Sequence, residues 1–209
     1  MAEIIGLTGQ TGAGKSSVRE MLRSRGMEVI DADTVAHDVT DNELWCLVDI
    51  AEHFSCLVLN DKGKLNRKAL GRIVFSDRKK LLTLNKIMFP YIVDAIKREA
   101  DALERTGARS IVIDGATLIE SGCAKMCDCM ISVTADEETR TQRIIVRDGL
   151  TKRDAQRRVS AQHPEEFYTE ASDFVIRNDG TLGDLEKKVD IVVREIAARR
   201  QPITMEEEF

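Results

Sequence analysis

The 209-residue sequence predicts an α/β fold of three layers, α/β/α, with a parallel sheet, an inserted helical lobe and a helical lid. Three observations predict it. Short apolar segments near 3–8, 27–31, 110–114, 128–133 and 173–177 are β-branched-rich and bounded by Gly, Asp or Asn, as buried strands are. Longer segments of helical spacing separate them, and strands alternating with helices pack as a parallel sheet covered on both faces. A glycine-rich turn joins the first strand to the first helix.

That first strand, Ile4-Ile5-Gly6-Leu7-Thr8, runs into Gly9-Gln10-Thr11-Gly12-Ala13-Gly14-Lys15-Ser16. The stretch matches G-x-x-x-x-G-K-[ST], the P-loop, in the strand-then-helix context the motif requires. Val18, Met21 and Leu22 mark one face of the helix that follows. Glycines let backbone N–H groups close around phosphate oxygens, and the helix N-terminus adds the positive end of its dipole. Lys15 reaches the β- and γ-phosphates as a point charge, and the Ser16 hydroxyl ligates Mg²⁺. A P-loop alone serves kinases, switches and motors alike. A switch also needs Asp-x-x-Gly, and no Asp stands three residues before a Gly here. Thr151-Lys152-Arg153-Asp154 fits a guanine reader by letter, but it opens a helix, so a capping box with Thr151 as N-cap is the preferred reading.

The second strand ends Val29-Ile30-Asp31-Ala32-Asp33. Alternation puts Asp31 and Asp33 on one side, at the strand C-termini where α/β sheets bind ligands. A carboxylate there positions an acceptor hydroxyl and takes its proton, the role expected of Asp33. A second acid, Asp31, holds Mg²⁺ through water. The competing role for one of them is to cap the helix starting near Thr34.

Residues 34–108 exceed a single crossover and are expected to hold the inserted lobe, with Trp45 and Phe54 at core spacings. Residues 136–168 are expected to be helical and to form a basic lid: from Arg140 to Arg158, Arg140, Arg143, Arg147, Lys152, Arg153, Arg157 and Arg158 stand against Asp148 and Asp154. Arg140, Arg143 and Arg147, at i, i+3 and i+7, share a helix face. In a chain of net charge −5, such a concentration reads as a lid that neutralises phosphates and excludes water; a solvated basic helix is the plain alternative. Leu182, Leu185, Val189, Val192, Val193 and Ile196 form one stripe of a last helix. The expected nucleotide core is therefore 1–33 plus 109–135 plus 169–200, with 201–209 a frayed tail.

Over nearly its whole length the chain resembles the dephospho-coenzyme A kinases. The resemblance is carried by the P-loop, the Val-Ile-Asp-Ala-Asp strand end, and Gly63-Lys64-Leu65-Asn66-Arg67 with Leu70, Gly71, Val74, Phe75, Ser76 and Asp77. It continues through Leu84-Asn85, Pro90, Arg143-x-x-x-Arg147-Asp148-Gly149-Leu150 and Ala171-x-Asp173-Phe174-Val175-Ile176-x-Asn178-x-Gly180. It implies ATP-dependent phosphorylation of the ribose 3′-hydroxyl of dephospho-CoA. It also implies ATP and Mg²⁺ on Gly12, Ala13, Gly14, Lys15, Ser16 and Ser17, with Asn178 and Gly180 near the adenine. A turn leading into the helix from Thr181 explains the last two equally well. Arg143 and Arg147 are the implied lid pair, and Thr8, Asp33, Arg67, Phe75 and Asp114 the implied acceptor residues. The chain departs from the family at Gly9-Gln10-Thr11, where Gly-Gly-Ile is usual, at Phe89-Pro90, where His-Pro is common, and at Asp114-Gly115-Ala116-Thr117, which lacks Pro-Leu-Leu. Another metabolite kinase, or a nucleotide-dependent switch or assembly module, is the alternative.

Composition excludes several classes. Aromatics are 4% and the charge is negative, which disfavours nucleic-acid partners. No apolar run approaches the ~18 residues of a membrane span, and no leader is visible ahead of Ile4. Five cysteines read as reduced thiols of a cytoplasmic protein, acting as a monomer or small homo-oligomer. Cys123-x-x-x-Cys127-x-Cys129 is not a standard zinc spacing, and His37, His53 and His163 have no evident triad partners.

Overall fold

In a computed structural model of the protein, residues 1–199 are described; the tail expected over 201–209 lies outside them. Five strands form one sheet, β1 (Glu3–Gly9), β2 (Glu28–Asp31), β3 (Ser110–Asp114), β4 (Cys129–Thr134) and β5 (Phe174–Arg177), in the order β2-β3-β1-β4-β5. Each falls within a residue or two of its expected segment, because buried parallel strands are continuous apolar runs. The chain divides into two compact units, Met1–Thr8 with Met27–Met130, and Gly9–Gly26 with the chain from Ile131.

In the first unit β3 is paired in parallel with both β1 and β2, so Asp114 stands in register with Leu7 on one side and Asp31 on the other. The insertion holds α2 (Ala32–Asn42), α3 (Leu44–Phe54), α4 (Arg67–Val74) and α5 (Arg78–Arg105), followed after β3 by the short α6 (Leu118–Ser121). Three of the four α-helices in the insertion start with a side-chain cap, α3 being the exception: the carboxylate of Asp31 accepts from the N–H groups of Asp33 and Thr34, Asn66 from Ala69, and Asp77 from Lys79. Ile30, Val35, Val39, Ile50, Leu70, Ile92, Ile96 and Ile113 share one core with the strands. Trp45 does not join it. The indole is 68% exposed on α3 while Cys46, Leu47 and Ile50 are buried, which corrects the expected phase of that helix; Phe54 packs against the core partly buried.

In the second unit β4 and β5 are parallel, with Val133 opposite Ile176. The P-loop leads into α1 (Lys15–Arg23), which packs on α10 (Leu182–Arg199) through Val18 and Leu22 on its own side. On α10 the buried stripe is Leu185, Val189, Val192 and Ile196; Leu182, at the first turn, is 67% exposed. Between β4 and β5 lie α7 (Glu137–Asp148), α8 (Lys152–Ser160) and α9 (Glu165–Thr169). Ile144, Ala155 and Val159 seal α7 against α8. Thr151 and Asp154 form the capping box: Thr151 Oγ1 accepts from the Asp154 N–H at 3.2 Å and donates to its carboxylate at 2.7 Å. Among the described residues no helix is long and apolar enough to cross a membrane.

Candidate active site

The P-loop is shaped by backbone packing within its unit. Gly12 and Gly14 have φ of 78° and 98°, and a Cβ on either would meet the Arg140 carbonyl oxygen at 2.7 Å or the Asn178 amide nitrogen at 2.3 Å. Side chains are excluded there twice over, by conformation and by space. Ala13 N–H donates to the Gln10 carbonyl at 3.1 Å, and Gly14, the N-cap of α1, leaves the helix without a side-chain cap. No acid stands in the first turn of α1. The positive dipole end of α1 therefore favours an anion, at the turn that carries Lys15, Ser16 and Ser17. The Ser16 hydroxyl lies at the surface.

Three side chains from later in the chain hold this loop. Asn178, 6% exposed, donates from Nδ2 to the Ala13 carbonyl at 2.7 Å, and its backbone N–H reaches Thr134 O at 2.8 Å. Arg143 Nη1 approaches the same Ala13 carbonyl at 3.3 Å, and Gln162 Oε1 accepts from the Thr11 N–H at 2.6 Å. Asn178 is thus a brace of the loop, which neither the adenine role nor the plain turn anticipated. Gly180 fits the turn: it precedes a second capping box, in which Thr181 Oγ1 donates to Asp184 at 2.6 Å.

The basic stripe of α7 separates into three roles. Arg140 is 7% exposed, donates from Nε to Ala135 O at 3.0 Å, and keeps Nη1 buried without a partner. Burial pulls its pKa down, opposed by Glu137 and Glu165. Arg143 reaches the loop. Arg147 does not: it is exposed and bidentate on its neighbour Asp148, at 2.8 and 3.0 Å, and Arg158 binds the same carboxylate. Spacing put the three arginines on one face and the resemblance paired Arg147 with Arg143; here Arg147 is held by the adjacent Asp148. The Arg147 hydrogen bond, then the positive charges around it, hold the Asp148 carboxyl below the usual range. At the base of this segment Arg177 binds Asp136, Glu165 and Asp179, a cluster that raises its own pKa.

The expected acceptor residues lie in the first unit. Thr8 is fully buried at the end of β1, with Oγ1 unpartnered. Asp114, 3% exposed, ends β3 in register with Asp31, so both carboxylates leave the same face of the sheet. The strand ends at Asp31, however, and Asp33 lies in the first turn of α2, exposed. Strand alternation therefore does not relate the two acids. Asp31 is the cap, with Oδ1 at 3.0 and 3.1 Å from the N–H groups of Asp33 and Thr34. Arg67 ties α4 to α2 through His37 O, Thr40 Oγ1 and Asp41 at 3.1, 2.6 and 2.8 Å. Phe75, after α4, is 81% exposed. Among the described residues no group of three or more His, Cys, Asp or Glu side chains could hold a metal ion.

Arg140 and Gln162 were not legible as site residues. Arg140 stood out only as part of a charge run, and Gln162 belongs to no motif.

The chain is similar to known proteins in sequence and in fold. A sequence model of the family described as dephospho-CoA kinase matches residues 3–184. A dephospho-CoA kinase of Halalkalibacterium halodurans is 38% identical over 192 residues, 91% of this chain and 96% of the relative. Among solved structures, a dephospho-CoA kinase from Campylobacter jejuni superposes with a TM-score of 0.70 at 27% identity, covering 96% of this chain and 100% of the other. A Thermus thermophilus protein gives a TM-score of 0.75 at 29% identity over 96% and 99%.

Proposed function

The chain belongs to the dephospho-CoA kinase family, and we propose the following division of roles for transfer of the γ-phosphoryl group of ATP to the ribose 3′-hydroxyl of dephospho-CoA, the last step of coenzyme A biosynthesis. The observation that carries it is the P-loop: an uncapped helix start with Lys15 and Ser16, shaped by two glycines at positive φ. The turn over 12–17 binds the phosphates at the positive end of α1, and Lys15 follows the charge that develops on them. Arg143 and Arg140, on α7, add positive potential over the loop, and 136–168 acts as the lid that keeps water out. Asp33 accepts the hydroxyl proton as the new O–P bond forms and ADP leaves. Asp114, Thr8, Arg67 and Phe75 line the acceptor side, with the exposed Phe75 ring available to an apolar part of the acceptor.

The Ser16 hydroxyl offers a hard oxygen that suits Mg²⁺, which is commonly held by one or two protein oxygens together with phosphates and water, not by a protein cage. When bound it neutralises phosphate charge. None of the five cysteines, all among the described residues, is in a disulfide, which supports a reducing, cytoplasmic setting.

The test is ADP release with ATP and Mg²⁺ across dephospho-CoA, AMP, shikimate, gluconate and uridine. Turnover is expected with dephospho-CoA alone. Preference for another acceptor would make the chain a different metabolite kinase, and nucleotide-dependent partner capture without product would make it a switch.

A further inference from the structure

We propose that Gln162 is a positioning residue for phosphoryl transfer, locking the leading edge of the P-loop to the lid. Its side-chain oxygen accepts from the Thr11 N–H at 2.6 Å, across 151 residues of sequence. An N–H can be met only by the oxygen of a carboxamide, so this contact sets which way the amide faces and leaves its two N–H donors beside the same loop. The backbone that carries Gln162 is itself held. Gln162 N–H donates to Val159 O at 3.3 Å at the end of α8, the His163 ring stacks on Phe167 with centroids 4.0 Å apart, and Pro164 stands at the N-cap position of α9. Gln162 therefore stands on a short bridge fixed at both ends, unlike a residue at a loop tip.

The consequence is a shared grip. The bridge after α8 holds Thr11, the α7 backbone at Arg140 packs on Gly12, and Arg143 reaches Ala13. Three consecutive P-loop residues are thus shaped by lid elements, so bringing the lid down and forming the phosphate cradle become one event. This inference rests on the reading that 136–168 covers the nucleotide phosphates. It adds a residue which that reading does not use.

The experiment pairs amide hydrogen exchange at Thr11, on the full chain with ADP and Mg²⁺, with steady-state kinetics on dephospho-CoA. Gln162→Met keeps the length and removes the acceptor; loss of one hydrogen bond predicts Thr11 exchange and kcat changed by about fivefold, in opposite directions. The drop in kcat is expected to exceed the rise in KM for ATP. Gln162→Glu restores an acceptor oxygen, so Thr11 protection returns while the added negative charge raises KM for ATP. Parent-like Thr11 exchange or parent-like kcat in Gln162→Met overturns the proposal, as does Gln162→Glu failing to restore protection. Should Gln162→Met not fold, Gln162→Ala carries the same two readouts. Exchange is measured without acceptor, so absence of dephospho-CoA turnover in the parent would defeat the functional reading and still leave the Gln162 contact to be judged.

Discussion

Asn178→Ala is expected to loosen the P-loop and to leave base preference unchanged. The side chain is 6% exposed and donates to the Ala13 carbonyl at 2.7 Å. After truncation that carbonyl keeps Arg143 Nη1 at 3.3 Å, a long contact that satisfies it in part. Stranding a buried acceptor completely costs roughly 1–3 kcal/mol, so with Arg143 in place the lower end, about 1–1.5 kcal/mol, is expected. For a chain of this size that lowers Tm by roughly 2–6 °C. Expressed in full at the phosphates, it weakens ATP binding by about tenfold. The measurements are calorimetric Tm and the KM values for ATP and GTP at saturating dephospho-CoA; both nucleotides are expected to lose together. A loss confined to ATP, with Tm unchanged, would refute this reasoning and make Asn178 an adenine contact. Gly14→Ala supplies a cross-check, since its Cβ would lie 2.3 Å from Asn178 Nδ2 at a φ of +98°. In the Asn178→Ala background the clash disappears and only the left-handed backbone penalty, about 1–2 kcal/mol, remains. The two substitutions should then be less than additive.

Three further outcomes are open to measurement. Asp33→Asn should lower kcat by about 10²–10⁴ with both substrates still bound, as loss of a general base does; Asp31→Asn should be milder, because Asn caps a helix as well as Asp. Turnover of Asp33→Asn near the parent value, beside an inactive Asp31→Asn, would exchange the roles. Arg143→Ala should reduce kcat more than Arg147→Ala, because Arg143 touches the Ala13 carbonyl and Arg147 is held by Asp148; an equal or larger effect at Arg147 would show that its pairing with Asp148 breaks during turnover. The Tyr91 phenol, hydrogen-bonded to Asp49 at 2.6 Å, has its pKa pushed up from 10.0 to about 12, chiefly by that bond. Because the folded-state value is the higher one, its stabilisation is complete below about 10 and is lost as pH rises through about 12. Phenolate absorbance should show a late-titrating tyrosine in the parent, and Asp49→Ala should bring it back toward 10.0; an unchanged titration in that variant would show the bond to be without effect.

What the sequence by itself determined is local. The strands are legible because a parallel strand buried on both faces must be a run of apolar, β-branched residues. The P-loop is legible because its chemistry needs glycines, a lysine and a serine at adjacent positions. The Thr151–Asp154 box is legible because a cap involves residues within one turn. Tertiary structure decided the rest. Asp31 ended β2 by accepting from the N–H groups of Asp33 and Thr34, which moved Asp33 from a strand to a helix. On α3 helical spacing put Trp45 in the core, and packing left it 68% exposed. Arg147 went to the acid beside it in place of the loop. The braces of the P-loop come from Asn178 and Gln162, 165 and 151 residues from their partners. Periodicity and capping are set by neighbours within a turn, whereas such partners are chosen by how strands and helices pack, and no local pattern encodes that choice.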